Sequence, residues 1–303
     1  MPELPDITVY VDRLTSLVGT ATLERVRLKS PFLLRSVEPP ISTVHGRRVQ
    51  GIRRLGKRIV IELEGHISLV LHLMIAGRLH WKKAGASIGE RRSLAAFDFS
   101  TGTLVLTEAS TRRRASLYVV QGEAALGLHD RGGLEPLECT YAQFKARLLS
   151  ENRTLKRALT SPHLFSGIGN AYSDEILHAA GLSPVTLTSR LSASEVQKLH
   201  RATVKTLRHW IDKLRSESAD SFPEKVTAFR PDMSVHGRFR QPCPVCDTLV
   251  QRIRYAENEV NYCPRCQTNG RMLADRSLSR LLGDDWPKTV DAWEEEHPKP
   301  AGS

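Results

Sequence analysis

The chain has 303 residues, 40% of them hydrophobic and 25% charged, with 44 Lys and Arg against 33 Asp and Glu and a formal charge of +11. That length suits two domains plus a small appended module, and the composition is that of an ordinary globular protein. The surplus charge suits a polyanion, either nucleic acid or an anionic membrane surface. No apolar run approaches the roughly 18 residues of a membrane span, and the start lacks the basic-then-apolar order of a signal peptide. No membrane partner and a cytosolic, reducing compartment are therefore expected.

In chain order, "MPELPD" comes first. From Asp6 onward Ile7, Tyr10, Val11, Leu14, Leu17 and Val18 recur at helical spacing and predict one buried stripe. Pro5 suits the first helical turn, where its missing N–H is no loss, and Asp6 suits the positive helix end. Residues 2–4 lead directly into this helix and are expected to be held rather than frayed. Short apolar runs follow at 57–64, 66–74, 94–100, 103–109 and 115–120, separated by turns. That is the pattern of an antiparallel sandwich or barrel.

Residues 121–140 are Gly-rich and irregular, a linker by pattern. Helices are then predicted over "YAQFKARLL", over "GNAYSDEILHAA" with Gly181 as its stop, and over "SASEVQKLHRATVKTLRHWIDKLRSES". In the last of these Ser192 and Glu195 have capping-box spacing. Residues 218–242 read as loop and 243–266 as a cysteine module. Beyond 271 a short helix is predicted at "RSLSRLLGDDW" and a frayed end at "EEEHPKPAGS". The domain division is 1–122, a linker 123–140, then 141–235, 236–270 and an extension 271–303.

Three constellations carry chemistry. Cys243 and Cys246 form one CxxC knuckle, and Cys263 and Cys266 form a second after sixteen intervening residues. Four thiolates at this spacing match a closed tetrahedral zinc site with no open coordination position. One structural Zn2+ is expected, stapling a lobe with too little core to fold alone. "LVQRIRYA" and "NEVNYC" between the knuckles suit a hairpin, and Arg238, Arg240, Arg252, Arg254, Arg265 and Arg271 could present the lobe to phosphate. Gly167 and Gly169 precede the helix that opens at Asn170. This is either a tight helix–helix turn or a phosphate site made by exposed N–H groups and the helix dipole.

The third constellation is the start itself. Methionine before proline is normally removed, which leaves Pro2 with a free secondary amine of pKa about 7.7–8.0. The following helix end favours its neutral form, a nucleophile toward an aldehyde-like carbon. A secondary amine forms an iminium, which is charged at every pH. Glu3 beside it can shuttle protons. Lys57, in "RRLGKRIVIEL", is a second acid–base candidate or a plain solvated lysine.

Together and in this order, "MPELPD", "RRLGKRIVIEL", "LHLMIAGRL", "GIGNAYSDEILHAAGLSP", "VHGR" and the CxxC finger resemble the Fpg/Nei family of DNA glycosylases, from residue 1 to about 268. The resemblance implies an α+β chain with a β-sandwich behind a leading helix, a helix–two-turn–helix domain and a zinc-finger hairpin. It implies damaged DNA as partner, held between lobes with the damaged nucleotide flipped out of the stack. It also implies a monomer working at the nucleoid of a bacterial cytoplasm. Carried over residue by residue, Pro2 would attack C1′ and expel the base, and Glu3 would open the sugar ring. Lys57 would contact DNA near the lesion and support β-elimination. Asn170 would grip phosphate, Lys156 in "RTLKRAL" would add a backbone contact, and His72 would pack at the sandwich edge or touch the backbone.

The chain also departs from the family pattern. Where the finger usually carries an arginine, five residues before the third cysteine, Asn258 stands; an amide cannot supply a guanidinium's bidentate grip on phosphate. The methionine that fills the flipped base's place falls on Ile75, beside Met74. "TRRRAS" (111–116) supplies arginines at Arg112, Arg113 and Arg114 but no phenylalanine wedge. A wedge helps offset the few kcal/mol of unstacking, so its loss suggests weaker strand discrimination or substrates such as single strands, bulges or abasic sites. "SADSFPEKVTAF" (218–229) is shorter than the loop that covers an oxidised purine, which argues against 8-oxoguanine as the main substrate.

Two other readings compete with an enzyme. A damage- or structure-specific DNA-binding protein with reduced catalysis fits Asn258 and the missing wedge, and an RNA-binding zinc-ribbon protein fits the charge and the finger but not the first six residues. Asp174 and Glu175 read as cap and core-rim residues, and Cys139 as a small core or loop residue.

Overall fold

The computed structural model describes every residue except 90, 111, 225, 227–229, 256–257, 276–279, 282, 284–285 and 297–303. It divides into two compact units, Met1–Gly133 with Arg208–Ala228, and Leu134–Leu207 with Phe229–Ser303. Among the described residues no helix is long and apolar enough to cross a membrane.

The first unit opens with α1 (Leu4–Val18), and its buried residues include Ile7, Tyr10, Leu14 and Val18. These join one core with Leu69, Phe97, Phe99 and Leu106. Eight strands follow: β1 (Thr22–Leu28), β2 (Arg47–Leu55), β3 (Arg58–Leu63), β4 (Ile67–His72), β5 (Gly77–Lys82), β6 (Ser93–Phe99), β7 (Gly102–Glu108) and β8 (Ser116–Gln121). Their order is β5-β7-β6-β1-β2-β3-β4-β8 and every pairing is antiparallel. The two halves pair along a short junction that includes Thr22↔Arg48 and Leu23↔Arg47, which lets the sheet fold into the two layers of a β-sandwich.

Three strands escape the apolar-run reading. β1 and β2 contain register shifts at Leu23/Arg25 and Val49/Gly51, and a bulge breaks the alternation by which a strand is read. β5 is half-buried, and polar Arg78 and His80 interrupt its apolar residues. In the expected linker, Glu123–Gly127 forms a short helix, α2, because Leu126 covers Val60, Val70 and Val120 on the sheet's other face.

The second unit contains α3 (Tyr141–Leu149), α4 (Leu155–Thr160), α5 (Asn170–Ala180) and α6 (Ala193–Glu217) as far as Leu207. The expected capping box is present, with Ser192 N–H donating to Glu195 Oε2 at 2.8 Å and Glu195 N–H donating to Ser192 Oγ at 3.3 Å. α5 stops at Gly181 in the left-handed conformation, φ 64°. The expected hairpin is β9 (Gln251–Tyr255) with β10 (Asn258–Tyr262), followed by α7 (Pro264–Thr268).

The tail differs from expectation. The helix predicted at 276–286 falls mainly outside the described residues. α8 (Val290–Glu296) takes in the first three residues of the end expected to fray, the rest of which, 297–303, lies outside the described residues; its Val290 and Trp293 are buried with Leu249 and Met272.

Leu14 is fully buried in the core that α1 shares with the sandwich. Leu14→Ala is expected to destabilise that unit by about 2–5 kcal/mol, read as a lower denaturant midpoint.

Candidate active site and nucleic-acid interface

At the start of α1, Pro2 and Glu3 are buried, as are Leu4, Pro5 and Asp6. Glu3 is the N-cap residue, and its amide donates to Asp6 Oδ2 at 2.8 Å, half of a capping box. The terminal amine, on Met1 in the full chain, sits in this buried corner. Burial lowers its pKa, Glu3 and Asp6 oppose that, and the charges of Arg78 and Lys57 add to it. Lys57 is half-buried in the β2–β3 turn. Arg78, on β5, is the residue of this cluster that the apolar-run reading passed over; its Nη1 donates to Gly77 O at 2.7 Å.

His72 ends β4, opposite Arg58 and Ser116. Burial, then the charges of Arg58 and Lys57, bring its imidazole down to about 4. So low a value leaves it neutral at pH 7 and a weak proton acceptor.

Ile75 stands at the tip of the β4–β5 turn and is 55% exposed. The turn is tight: Gly77 N–H donates to Leu73 O at 2.9 Å, and a Cβ on Gly77 would lie 2.3 Å from that oxygen. Ala109 N–H donates to Ala76 O at 3.3 Å, which sets the β7–β8 loop beside this turn. That loop carries Arg112, Arg113 and Arg114, all exposed. Buried Glu108 anchors its far end by accepting from Arg114 N–H at 3.0 Å and Ala115 N–H at 3.2 Å. The fold thus brings the exposed apolar tip and the three arginines to one edge. Phe222 and Glu224 are tied to the same unit, with the Phe222 ring centroid 5.7 Å from that of Tyr10 and His80 Nδ1 3.4 Å from Glu224 Oε2.

In the second unit Asn170 opens α5 behind Gly169 and is half-exposed. Lys156, expected at the DNA backbone, is turned inward. It is 8% exposed, and its Nζ donates to Asn170 O and to Asp174 Oδ1, both at 2.6 Å. Asp174 also meets His236 Nδ1 at 2.8 Å and Asn261 Nδ2 at 3.5 Å. Glu175 accepts from the amides of Ser234, Val235 and His236 at 2.7, 2.9 and 3.0 Å. Both carboxylates are therefore structural, and "VHGR" owes its place to them. A lysine–aspartate pair of this kind has no periodicity by which sequence could announce it.

The four cysteine sulfurs lie within 4.8 Å of one another. The shorter separations are 3.4 Å for Cys246–Cys263, 3.4 Å for Cys246–Cys266 and 3.9 Å for Cys243–Cys266. A tetrahedron with Zn–S of about 2.3 Å has S–S edges of about 3.8 Å, so these residues fit one structural zinc. The surrounding arginines are partly engaged. Arg238 Nη1 donates to Met233 O at 3.1 Å, Arg252 lies 4.2 Å over the Phe239 ring, and Arg265 pairs with Asp291 at 2.5 Å. Asn258 pairs with Tyr255 beside the hairpin turn.

Lys156→Met leaves the buried Asp174 without its cation and is expected to cost roughly 3–5 kcal/mol in the second unit, read by denaturant unfolding. His72 yields a pH prediction. Its folded value of about 4 lies below the ordinary value of 6.5, so between these values the unfolded chain binds more protons at this site. Stability is then lost as pH falls through that window. His72→Gln is expected to flatten the fall of Tm between pH 6.5 and 4, and an unchanged slope contradicts the assignment.

Comparison with known proteins agrees with this architecture. The formamidopyrimidine-DNA glycosylase N-terminal domain matches residues 1–117, its H2TH domain residues 133–220, and the zinc finger found in FPG and IleRS residues 240–269. A formamidopyrimidine-DNA glycosylase of Variovorax paradoxus is 31% identical over 276 residues, covering 88% of this chain and 100% of the relative. One of Solibacter usitatus is 31% identical over 273 residues, covering 88% and 99%. Among solved structures, wild-type Lactococcus lactis FPG in complex with an oxidized pyrimidine containing DNA has a TM-score of 0.77 at 25% identity, covering 88% of this chain and 100% of that one. The chain belongs to the formamidopyrimidine-DNA glycosylase family.

Proposed function

We propose that the protein is a base-excision DNA glycosylase with AP lyase activity. The observation that carries this reading is the buried start of α1, where the charges of Glu3, Asp6, Lys57 and Arg78 all act on the terminal amine. Removal of Met1 leaves the Pro2 nitrogen as the terminal amine of this corner. The burial that lowers the pKa of the Met1 amine is expected to act on the Pro2 nitrogen as well, since Pro2 is itself buried, and so to enlarge its neutral, nucleophilic fraction at pH 7.

The nitrogen lone pair bonds to C1′ of a flipped nucleotide, the C1′–base bond breaks with its electrons leaving on the base, and the nitrogen's proton passes to the departing base, which frees the nitrogen lone pair again. Glu3 gives a proton to the ring oxygen, the sugar opens, and the nitrogen lone pair completes an iminium. Loss of a C2′ proton then expels the 3′ phosphate by β-elimination, with Lys57 supporting this step. Lys57, His72, Asn170 and the arginines at 112–114 face the DNA, Ile75 enters the space the base leaves, and Lys156 holds the Asn170 turn. Asn258 supplies no guanidinium grip, and the 112–114 loop offers no aromatic wedge, so abasic and single-stranded sites are the favoured substrates.

A second reading, a damage-specific DNA-binding protein with reduced catalysis, is favoured by Asn258. Incubation with an abasic oligonucleotide, single- and double-stranded, followed by borohydride separates the two. The lyase reading expects a covalent adduct that is lost in Pro2→Gly and is at least as abundant on the single strand. Tight binding with no adduct on either substrate overturns it in favour of the binder.

A further inference from the structure

The C-terminal end of α5 is seated on both cysteine knuckles. His178, in its last turn, is 7% exposed, and its Nε2 lies 3.3 Å from Cys243 Sγ. Three residues on, a Cβ at Gly181 would lie 3.4 Å from Cys266 O. Next, Leu182 O accepts from Gln267 Nε2 at 2.9 Å, while Gln267 Oε1 accepts from Cys263 N–H at 2.8 Å. One helix end therefore touches both halves of the four-sulfur cluster.

We propose that His178 is a positioning residue of the zinc centre, donating Nε2–H to the Cys243 sulfur and tying the metal to the helix that carries Asn170. A zinc-bound cysteine is deprotonated, and a thiolate offers no proton, so the imidazole must be the donor. Four thiolates on one divalent cation leave excess negative charge. Here it sits beside sulfurs of which Cys243 is 2% exposed and Cys263 fully buried. A buried N–H directed at one sulfur offsets part of that charge and fixes the ligand's orientation, as outer partners of metal ligands generally do.

The coupling runs back along α5. Glu175 holds the 234–236 amides, Asp174 holds Lys156, and Lys156 holds the Asn170 carbonyl. A lobe that loses its metal thus loosens a helix whose other end is the phosphate-facing Asn170.

The test uses the full zinc-loaded chain and the rate at which a colorimetric chelator removes zinc. His178→Phe keeps a ring without a donor and is expected to release zinc about 10-fold or more faster, within the 10–100-fold range of outer-partner losses. His178→Gln, whose amide N–H reaches a similar position, is expected to recover most of the difference. Equal release from His178→Phe and the unsubstituted chain overturns the proposal. Should the Phe variant fail to fold, the ring ¹⁵N spectrum of the unsubstituted zinc-loaded chain decides. A proton on Nε2 of His178 supports the assignment, and a proton on Nδ1 alone overturns it.

Discussion

The Glu3 amide donates to the Asp6 carboxylate at 2.8 Å, and on that bond rests the position of the chain's start. First residues usually fray. Here Glu3 serves as N-cap while Ile7, Tyr10 and Leu14 bury the same helix in the sandwich core, so the residues before it inherit a fixed place. The charges then act at a defined distance. Burial, Arg78 and Lys57 push the terminal amine towards neutrality, and Glu3 and Asp6 hold it back. An amine left wholly in solvent would feel none of these strongly.

The second unit is organised by a different device, a short helix with a task at each turn. Asn170 starts α5, Asp174 and Glu175 hold α4 and the 234–236 turn in its middle, and His178 and Gly181 end it on the cysteines. The two carboxylates are 1% and 5% exposed. Buried acids are tolerated only where donors surround them, and each has its own: an ammonium, an imidazole and an amide for Asp174, three backbone amides for Glu175. The tail adds to the zinc lobe's own apolar clusters, with Val290 and Trp293 closing over Leu249 and Met272.

What could be read beforehand was whatever carries its own local rule. CxxC spacing, the Ser192–Glu195 box, the Gly181 stop and the α1 stripe each depend on residues a few positions apart, and each appears where its rule puts it. β1 and β2 were obscured because bulges shift their alternation, and α8 because its apolar partners, Leu249 and Met272, lie far off in sequence. Side-chain direction was the least legible. Lys156 reads as a basic contact residue, yet Asp174, eighteen positions away, turns it inward. Arg78 joins the amine corner, and Ile75 joins the 112–114 loop, only through the pairing of β5 with β7 and the contact of Ala76 with Ala109.

The central claim is that the first residue after methionine is the nucleophile. It is tested most directly by peptide mapping of the borohydride-reduced adduct on abasic DNA with tandem mass spectrometry. The account predicts one modified peptide, beginning at Pro2 with Met1 removed and carrying the sugar remnant on the proline nitrogen. A remnant on Lys57 or another lysine, with the amino-terminal peptide unmodified, would contradict it.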